Sequence, residues 1–561
     1  LQGESKAFGE GLLAYYSQQY EKALEKAREA LEKEPWIYEA LKLQGDVYYA
    51  YGFAKQKRGQ YEEARADYRR AAELYHDGAE QARSDSSIHS AEADMWVQVM
   101  DVDKTEGLSP KEAFERALAA CDRAILSNPE NDSAVRKKVW AYIRWAEYQS
   151  THGEDPRNAA QQAIDAAQLA VRLNPGNAFP YDQMGMAYLL IARAENDHGQ
   201  DTSESEKHAA ESFQKSVEVN PNFAWAWNDF GVLHSAKAEW LSQRGAEYRD
   251  ELAASISKLQ RAIEADPEYH IAYSNLVDVY KLLARYEMDH GRSPDAWIEK
   301  AIETSNLSLQ VNPNFYETYR NMASIYSLQA QYESILGRSP ETQLAEALER
   351  LDKAMKANPN DADTHRELAQ VYCLRARHLL EQHHDAPDEA LSKGLLAIQK
   401  SNLISPNNPD GYLLQVQLLL LVARNEAQHG KSPLSTLQQA QGAVARAREL
   451  NSKIPAVYLN LGEIARATVE WKIEHQKPAD EDIADGQAAI DQALNLSPAL
   501  TPALAVRGTL YLLMARMAHG SAPRKQAAEL AVRTFQQALS KDPLLDREFG
   551  ALLGEATQLS R

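Results

Sequence analysis

The residues able to do chemistry in this 561-residue chain are spread thinly, and their spacing decides what they can do. A histidine precedes glycine at His152, His198, His290, His429 and His519. Histidine is a common metal ligand, so a regular series of them suggests a ladder of metal sites. The simpler reading is a cation beside a helix-ending glycine, where the helix dipole favours it. Neighbours in this series are also too far apart to share one ion. His383, His384 and Asp385 form the densest potential ligand cluster, at a hairpin tip where polar residues are expected in any case. Asp480, Glu481 and Asp482, and Asp201 with Glu204 and Glu206, could hold a cation or act as acid–base carboxyls. They fall between helices, where a solvated charge run is the simpler account. Cys373 sits where a reactive thiol could face a groove, but a small buried or half-buried core filler is the better account. Cys121 is the only other cysteine, more than five sequence repeats away, so no intrachain disulfide is expected. No Ser/His/Asp or Cys/His nucleophile arrangement occurs, and neither catalysis, a metal nor a cofactor is expected.

Charge narrows the partner. The net charge is −20, from 81 acidic against 61 basic side chains, and this field repels a nucleic-acid backbone. The 27 Tyr and 9 Trp could stack on bases, but most occupy periodic packing positions. The longest apolar run, Met186–Ala192, is far short of the ~18 residues a membrane span needs, so direct membrane insertion is not expected. The chain starts Leu1-Gln2-Gly3 with no signal-like segment and reads as a piece of a longer protein. A cytoplasmic location is expected, or an extracytoplasmic one if a membrane span precedes residue 1.

The elements that must position these residues are read from recurring punctuation. A polar residue followed by proline recurs at Pro35, Pro129, Pro175, Pro221, Pro267, Pro313, Pro359, Pro406, Pro498 and Pro543, with Asn451-Ser452 in the remaining slot and an irregular turn near Ser84-Asp85. From Pro129 to Pro359 the spacing is 46 residues. Five residues before each turn lies a small residue, such as Ala124, Ala170 or Ser216, and ten after it another, such as Gly185, Gly231 or Gly462. Aromatic residues flank the second slot, with Tyr181, Trp227, Tyr273 and Tyr319 before it and Tyr188, Tyr280 and Tyr326 after it. Small residues at fixed positions let two helices approach closely.

Aromatic, small and Tyr in a first helix, then small and Pro ending a second, is similar to the tetratricopeptide (TPR) signature, and the likeness runs over roughly residues 4 to 545. The units are about 12 residues longer than the ~34 of that family. A second mark explains the excess. Gly107, Gly153, Gly199, Gly245, Gly291, Gly337, Gly430 and Gly520 terminate first helices, and Ser109-Pro110, Asp155-Pro156, Ser293-Pro294, Ser339-Pro340 and Ser432-Pro433 start second ones. Both helices of each hairpin are therefore expected to reach roughly 18–22 residues. The rhythm resembles the C-terminal repeat region of large myxobacterial-type serine/threonine protein kinases. No Gly-rich loop, His-Arg-Asp loop or Asp-Phe-Gly motif accompanies it.

The expected fold is all-α: a right-handed α-solenoid, or superhelix, of about 12 elongated TPR-like hairpins with a C-terminal capping helix. It forms a single array over 1–561, with repeats at 4–35, 36–85, 86–129, 130–175, 176–221, 222–267, 268–313, 314–359, 360–406, 407–452, 453–498 and 499–543, and a cap at 544–561. First helices line a concave groove, which suits a protein or peptide segment. The resemblance places an Asn two residues before the first-helix small slot, filled here by Asn275, Asn321 and Asn460, with Asp229, Gln183 and Glu367 elsewhere. An Asn there offers an extended backbone both a donor and an acceptor, or else bonds to the next helix and stabilises the stack. Trp225, Asn228, Lys281, Arg320 and Arg366 occupy neighbouring groove slots and would draw an acidic or C-terminal segment. The leading reading is a non-catalytic scaffold, in its most concrete form the regulatory or substrate-recruiting region of a bacterial kinase. Self-assembly, sensing of a small ligand and a catalytic solenoid are the alternatives.

Overall fold

The computed structural model describes residues 6–56, 58, 60–382 and 387–561, so His383, His384 and Asp385 lie outside the described residues. Among the described residues there are 25 α-helices, one 3-10 turn and no strand. The chain forms two compact units, one of Leu1–Ala194, Thr202–Asp229 and Ala357–Asn360, the other of Glu195–Asp201, Phe230–Lys356 and Asp361–Arg561.

Successive helices pair as antiparallel hairpins. In the first unit these are α1 (Lys6–Tyr16) with α2 (Tyr20–Lys33), α3 (Tyr38–Gln56) with α4 (Tyr61–Gln81), α5 (Ser86–Thr105) with α6 (Lys111–Ser127) and α7 (Asp132–Thr151) with α8 (Arg157–Leu173). The unit also takes in most of α9 (Phe179–Asp197), its partner α10 (Ser203–Val219) and the start of α11 (Ala224–Gln243). In the second unit α11 continues and pairs with α12 (Arg249–Ala265). There follow α13 (His270–Asp289) with α14 (Asp295–Val311), α15 (Tyr316–Ile335) with α16 (Glu341–Ala357), and α17 (Ala362–Glu381) with α18 (Pro387–Ile404). The last three pairs are α19 (Pro409–Gln428) with α20 (Leu434–Leu450), α21 (Pro455–Glu474) with α22 (Asp480–Leu496), and α23 (Thr501–Met517) with α24 (Ser521–Lys541). After a 3-10 turn at Pro543–Leu545, α25 (Asp546–Leu559) covers the end of the array, burying Phe549 and Ala556 against Phe535 and Leu504. This is the expected all-α solenoid of TPR-like hairpins with a terminal cap.

Two length expectations are corrected. The first hairpin is not elongated: among the described residues its helices have 11 and 14 residues, and Gln18, at φ 58, turns the chain between them. Most second helices are 17 residues, slightly under the expected range.

The turn between hairpins is held by side chains. Asn220 accepts from the backbone N–H of Asn222 (3.1 Å), and Asn128, Asp266, Asn312 and Asn451 make the same bond two residues on. The aromatic residue six positions after the turn proline then donates to that proline's carbonyl: Trp227 to Pro221 (2.8 Å), Tyr273 to Pro267 (3.2 Å), Tyr319 to Pro313 (2.9 Å) and Tyr412 to Pro406 (2.9 Å). Each donor sits on the first helix of the following hairpin, so the bond fixes how that helix leaves the turn. Inside a hairpin the small slots bring the two helices together. A Cβ on Gly185 would lie 2.5 Å from the buried Phe213 ring of α10.

At the opposite end, His152, His290 and His429 take the helix-terminal position and their Nδ1 pairs with the carbonyl four residues back at 2.7–2.9 Å, so the ring donates there. For two of them the ring also lies against the aromatic at that position, stacked at 4.0 Å for Tyr148–His152 and tilted at 4.1 Å for Tyr286–His290. A helix-capping role thus accounts for these histidines.

These joints also meet distant parts of their own unit. In the first unit Asn360 donates to the carbonyl of Glu106, 254 positions earlier, at 2.9 Å. In the second, Asn451 donates to Asn196 across 255 positions at 3.3 Å. Gly245 likewise faces Ser497, and Gly291 faces Pro543. Joints therefore receive turns about five and a half hairpins further on. Gly107 combines a φ of 68° with this contact, since a Cβ there would lie 2.1 Å from that of Asn360. Gly430 has a similar φ, 72°, but nothing near it. Gly430→Ala is expected to lower the melting temperature by the backbone penalty alone, about 1 kcal/mol, and Gly107→Ala by clearly more. Equal losses in thermal melts of the two variants would refute a load on the long-range contact.

Candidate functional site

In the second unit, α13, α15 and α17 are first helices of consecutive hairpins, and residues three or four apart on each present one face to the next. On α15, Asn321 is 4% exposed and donates to the carbonyl of Ser274 (3.3 Å), the hydroxyl of Ser274 (3.1 Å) and Asp278 Oδ2 (2.9 Å), all on α13. The other oxygen of Asp278 accepts from Lys281 Nζ at 2.8 Å. Arg320 reaches Asp361 Oδ2 at 3.1 Å and Asp363 at 3.8 Å, and Asp363 also pairs with Arg366 at 2.8 Å. Further along, Ser327 donates to Glu367 at 2.5 Å.

The result is a connected lattice of both signs. Arg366, aided by Arg320 and Lys281, holds the Asp363 carboxyl below the usual carboxylate range against the opposing effect of burial. Burial works against the charge on Lys281, but Asp278, Glu239 and Glu367 outweigh it and raise its pKa. These cations therefore already have intrachain carboxylates, and an acidic guest would compete with them. Lys281 and Arg366 keep 24% and 29% of their side chains exposed, so part of each remains accessible.

The other predicted residues lie elsewhere. Asn275 is half-buried on α13, and Asn460, on α21, is 6% exposed and donates to Ala456 of its own helix at 2.9 Å. In the first unit Trp225 stands edge-on to Trp140 with ring centroids 5.9 Å apart, and Asn228, 2% exposed, donates to Asp229 at 2.8 Å. The acidic clusters open second helices, where the helix dipole favours carboxylates: Glu204 and Glu206 in the first turn of α10, and Asp480, Glu481 and Asp482 in that of α22. Cys121 and Cys373 are buried free thiols whose pKa is raised by burial. Among the described residues, no group of three or more His, Cys, Asp and Glu is placed to hold a metal ion, and no helix is long and apolar enough to cross a membrane.

Sequence reasoning passed over one inner-face residue, Asp182 on α9. It is fully buried, its Oδ2 accepts from Gln183 at 2.9 Å, and its Oδ1 has no partner. Burial, reinforced by the charge of Asp229, pushes its pKa well above the ordinary aspartate value. Asp229 is itself pushed up by burial, to about 7, with Glu147 adding to the shift and Asn228, Arg144 and Arg193 opposing it. The signal was available as an aspartate in the slot held by Arg320 and Arg366 three and four hairpins along, with no cation at helical spacing beside it.

No family model matches the sequence, and no curated protein is similar to it. Among solved structures, the chain is similar to MamA (21% identity, 36% of this chain and 90% of that one, TM-score 0.24). It is also similar to a human IFIT1 dimer with PPP-AAAA (15%, 81% and 90%, TM-score 0.40) and to YrrB, described as a TPR protein with an unusual peptide-binding site (18%, 44% and 95%, TM-score 0.24).

The two raised carboxyls define a pH test. The folded chain holds protons on Asp182 and Asp229 that the unfolded chain releases near pH 4, so their contribution to stability falls as pH rises from about 4 through about 7. Asp182→Asn with Asp229→Asn removes that loss. The variant's melting temperature should exceed the parent's by several degrees at pH 8, with the gap shrinking towards pH 4.5. A pH-independent difference would show that these carboxyls do not titrate abnormally.

Proposed function

We propose that this chain is a non-catalytic scaffold that holds a protein or peptide segment along the inner face of its first helices, with the principal site over α13 to α17. The observation that carries this reading is the lattice through Lys281, Asp278, Asn321, Arg320, Asp363 and Arg366, which joins three consecutive hairpins yet leaves part of the Lys281 and Arg366 side chains exposed. Stacking hairpins produces an extended surface of this kind, and such surfaces suit extended or helical segments. The favoured guest is an acidic segment or a free C-terminus, which would displace Asp363 or Asp278 from their cations. Asn321, Asn460 and Asn228 serve the packing of their helices as well as bordering the groove, so the accessible cations are the better probes. The parent protein is proposed to be a bacterial serine/threonine kinase that recruits substrates or regulators through this region, on the strength of the repeat rhythm. A cytoplasmic setting goes with that proposal, and a kinase catalytic domain in the reading frame upstream of Leu1 is its expected companion.

Lys281→Ala with Arg366→Ala is expected to weaken binding of an acidic decapeptide with a free C-terminus roughly tenfold, measured by titration calorimetry at a temperature where circular dichroism shows the variant's helical signal intact. Asn321→Ala should instead lower the melting temperature, because it leaves Ser274 and Asp278 with unmet hydrogen bonds. Undiminished peptide binding by the cation-deleted variant would sink the groove assignment.

A further inference from the structure

Three consecutive first helices of the first unit, α7, α9 and the start of α11, bring aromatic rings together. Trp140 lies 6.0 Å from Phe179 and 5.9 Å from Trp225, and Trp225 is 6.2 Å from Phe223. All four rings are only partly buried. One helical turn along the same faces lies a charged layer, because Arg144 is four residues after Trp140, Asp182 three after Phe179 and Asp229 four after Trp225.

That layer is unevenly neutralised. Arg144 pairs with Asp101 at 2.9 Å and with Glu147 at 2.9 Å, and Lys104 completes the set by meeting Glu147 at 2.9 Å. Two cations thus balance two carboxylates, and together they hold Glu147 down to about 2 in spite of its burial. Asp182 and Asp229 have no comparable partner. Each receives a hydrogen bond from the amide beside it on its own helix, Gln183 and Asn228, and Arg193 is the one further cation whose field reaches Asp229. Counting Arg193, the pair is still one positive charge short. Asp182 Oδ1, buried and without a partner, marks the place where a donor is missing.

Aromatic faces attract cations, as Arg144 already shows by resting 5.6 Å from the centre of the Trp140 ring. A buried, uncompensated carboxyl facing a second carboxyl attracts one more strongly. We propose that the first unit carries a subsite for a lysine or arginine side chain of the bound segment, its charged head taken by the half-buried Asp229 with the charge of the buried Asp182 added, and its aliphatic stem lying against Trp140 and Trp225. The proposal rests on the peptide-scaffold reading and adds to it a second specificity point with charge preference opposite to that at Lys281 and Arg366. A cation arriving there favours the ionised carboxyls, so its binding is coupled to proton release.

The test uses the whole chain and a neutral heptapeptide with one central lysine, beside the same peptide with that lysine acetylated. The lysine peptide is expected to bind saturably at pH 7.5, with a change in tryptophan emission and a heat that varies with the ionisation enthalpy of the buffer as protons are released. Acetylation, or Asp182→Asn with Asp229→Asn, should each cost at least tenfold in affinity. Asp480→Asn with Asp482→Asn, which removes acidic charge from a helix start outside the subsite, should leave binding unchanged. Equal affinity for the acetylated peptide, retained binding by the Asp182/Asp229 variant, or loss with the Asp480/Asp482 variant would each overturn the subsite. Failure here with acidic-peptide binding intact in the second unit removes the subsite alone. Failure of the acidic peptide while the lysine peptide still binds would instead remove the assignment to Lys281 and Arg366.

Discussion

Everything in this array depends on the hydrogen bonds that clamp the turn between one hairpin and the next. An Asn or Asp at the end of a second helix closes a short loop by accepting from the backbone two residues on. A ring on the following first helix then ties itself to the turn carbonyl. Proline supplies a fixed backbone angle, and neither bond leaves the incoming helix much freedom to swing. Because the same clamp recurs, each hairpin meets its predecessor in nearly the same way. Small errors in that angle would add up along the array, whereas the bonds at the clamped junctions correct them locally. The inner faces of consecutive first helices can then carry side-chain contacts from hairpin to hairpin, as Asn321 does with Ser274 and Asp278.

The punctuation that made the fold legible is the part of the sequence that serves this clamp. Prolines at 46-residue intervals, the small slots and the aromatic six residues after several of these prolines have local structural causes, so they could be read without a structure. The joint glycines were read as helix terminators, which their positive φ supports. Their contact with turns about 250 residues away was not legible, since it depends on the sum of many small rotations and leaves no periodic mark. The short first hairpin was hidden for a related reason, because Gln18 adopts a left-handed backbone without a glycine to announce it.

The groove was less legible than the fold. Position along a first helix identified Lys281, Arg320, Asn321 and Arg366 as neighbours, but not that Asp278, Asp361 and Asp363 would already answer their charges. Pairing across hairpins needs the angle between them as well as the register within each. Asp182 escaped notice for the opposite reason, since an acidic residue on a polar face looks ordinary until its burial and its unpartnered oxygen are seen. A net count of charges along the chain says little about either place. What matters is where compensation fails, and in the first unit it fails beside four aromatic rings.

The contacts between joints and distant turns have a kinetic consequence. Nearly all other pairings link residues within one hairpin or with its neighbour, so the array has low contact order, and hairpins can form early and spread from any starting point. Contacts such as Asn360 with Glu106 and Asn451 with Asn196 close loops of 254 and 255 residues and can form only after the intervening hairpins are in place. They are therefore the last to assemble and the first to part under tension. Each is a single amide bond or a close packing point, so parting them leaves every hairpin core intact. Under a stretching force, each unit would extend first by separating these contacts and only later by melting helices.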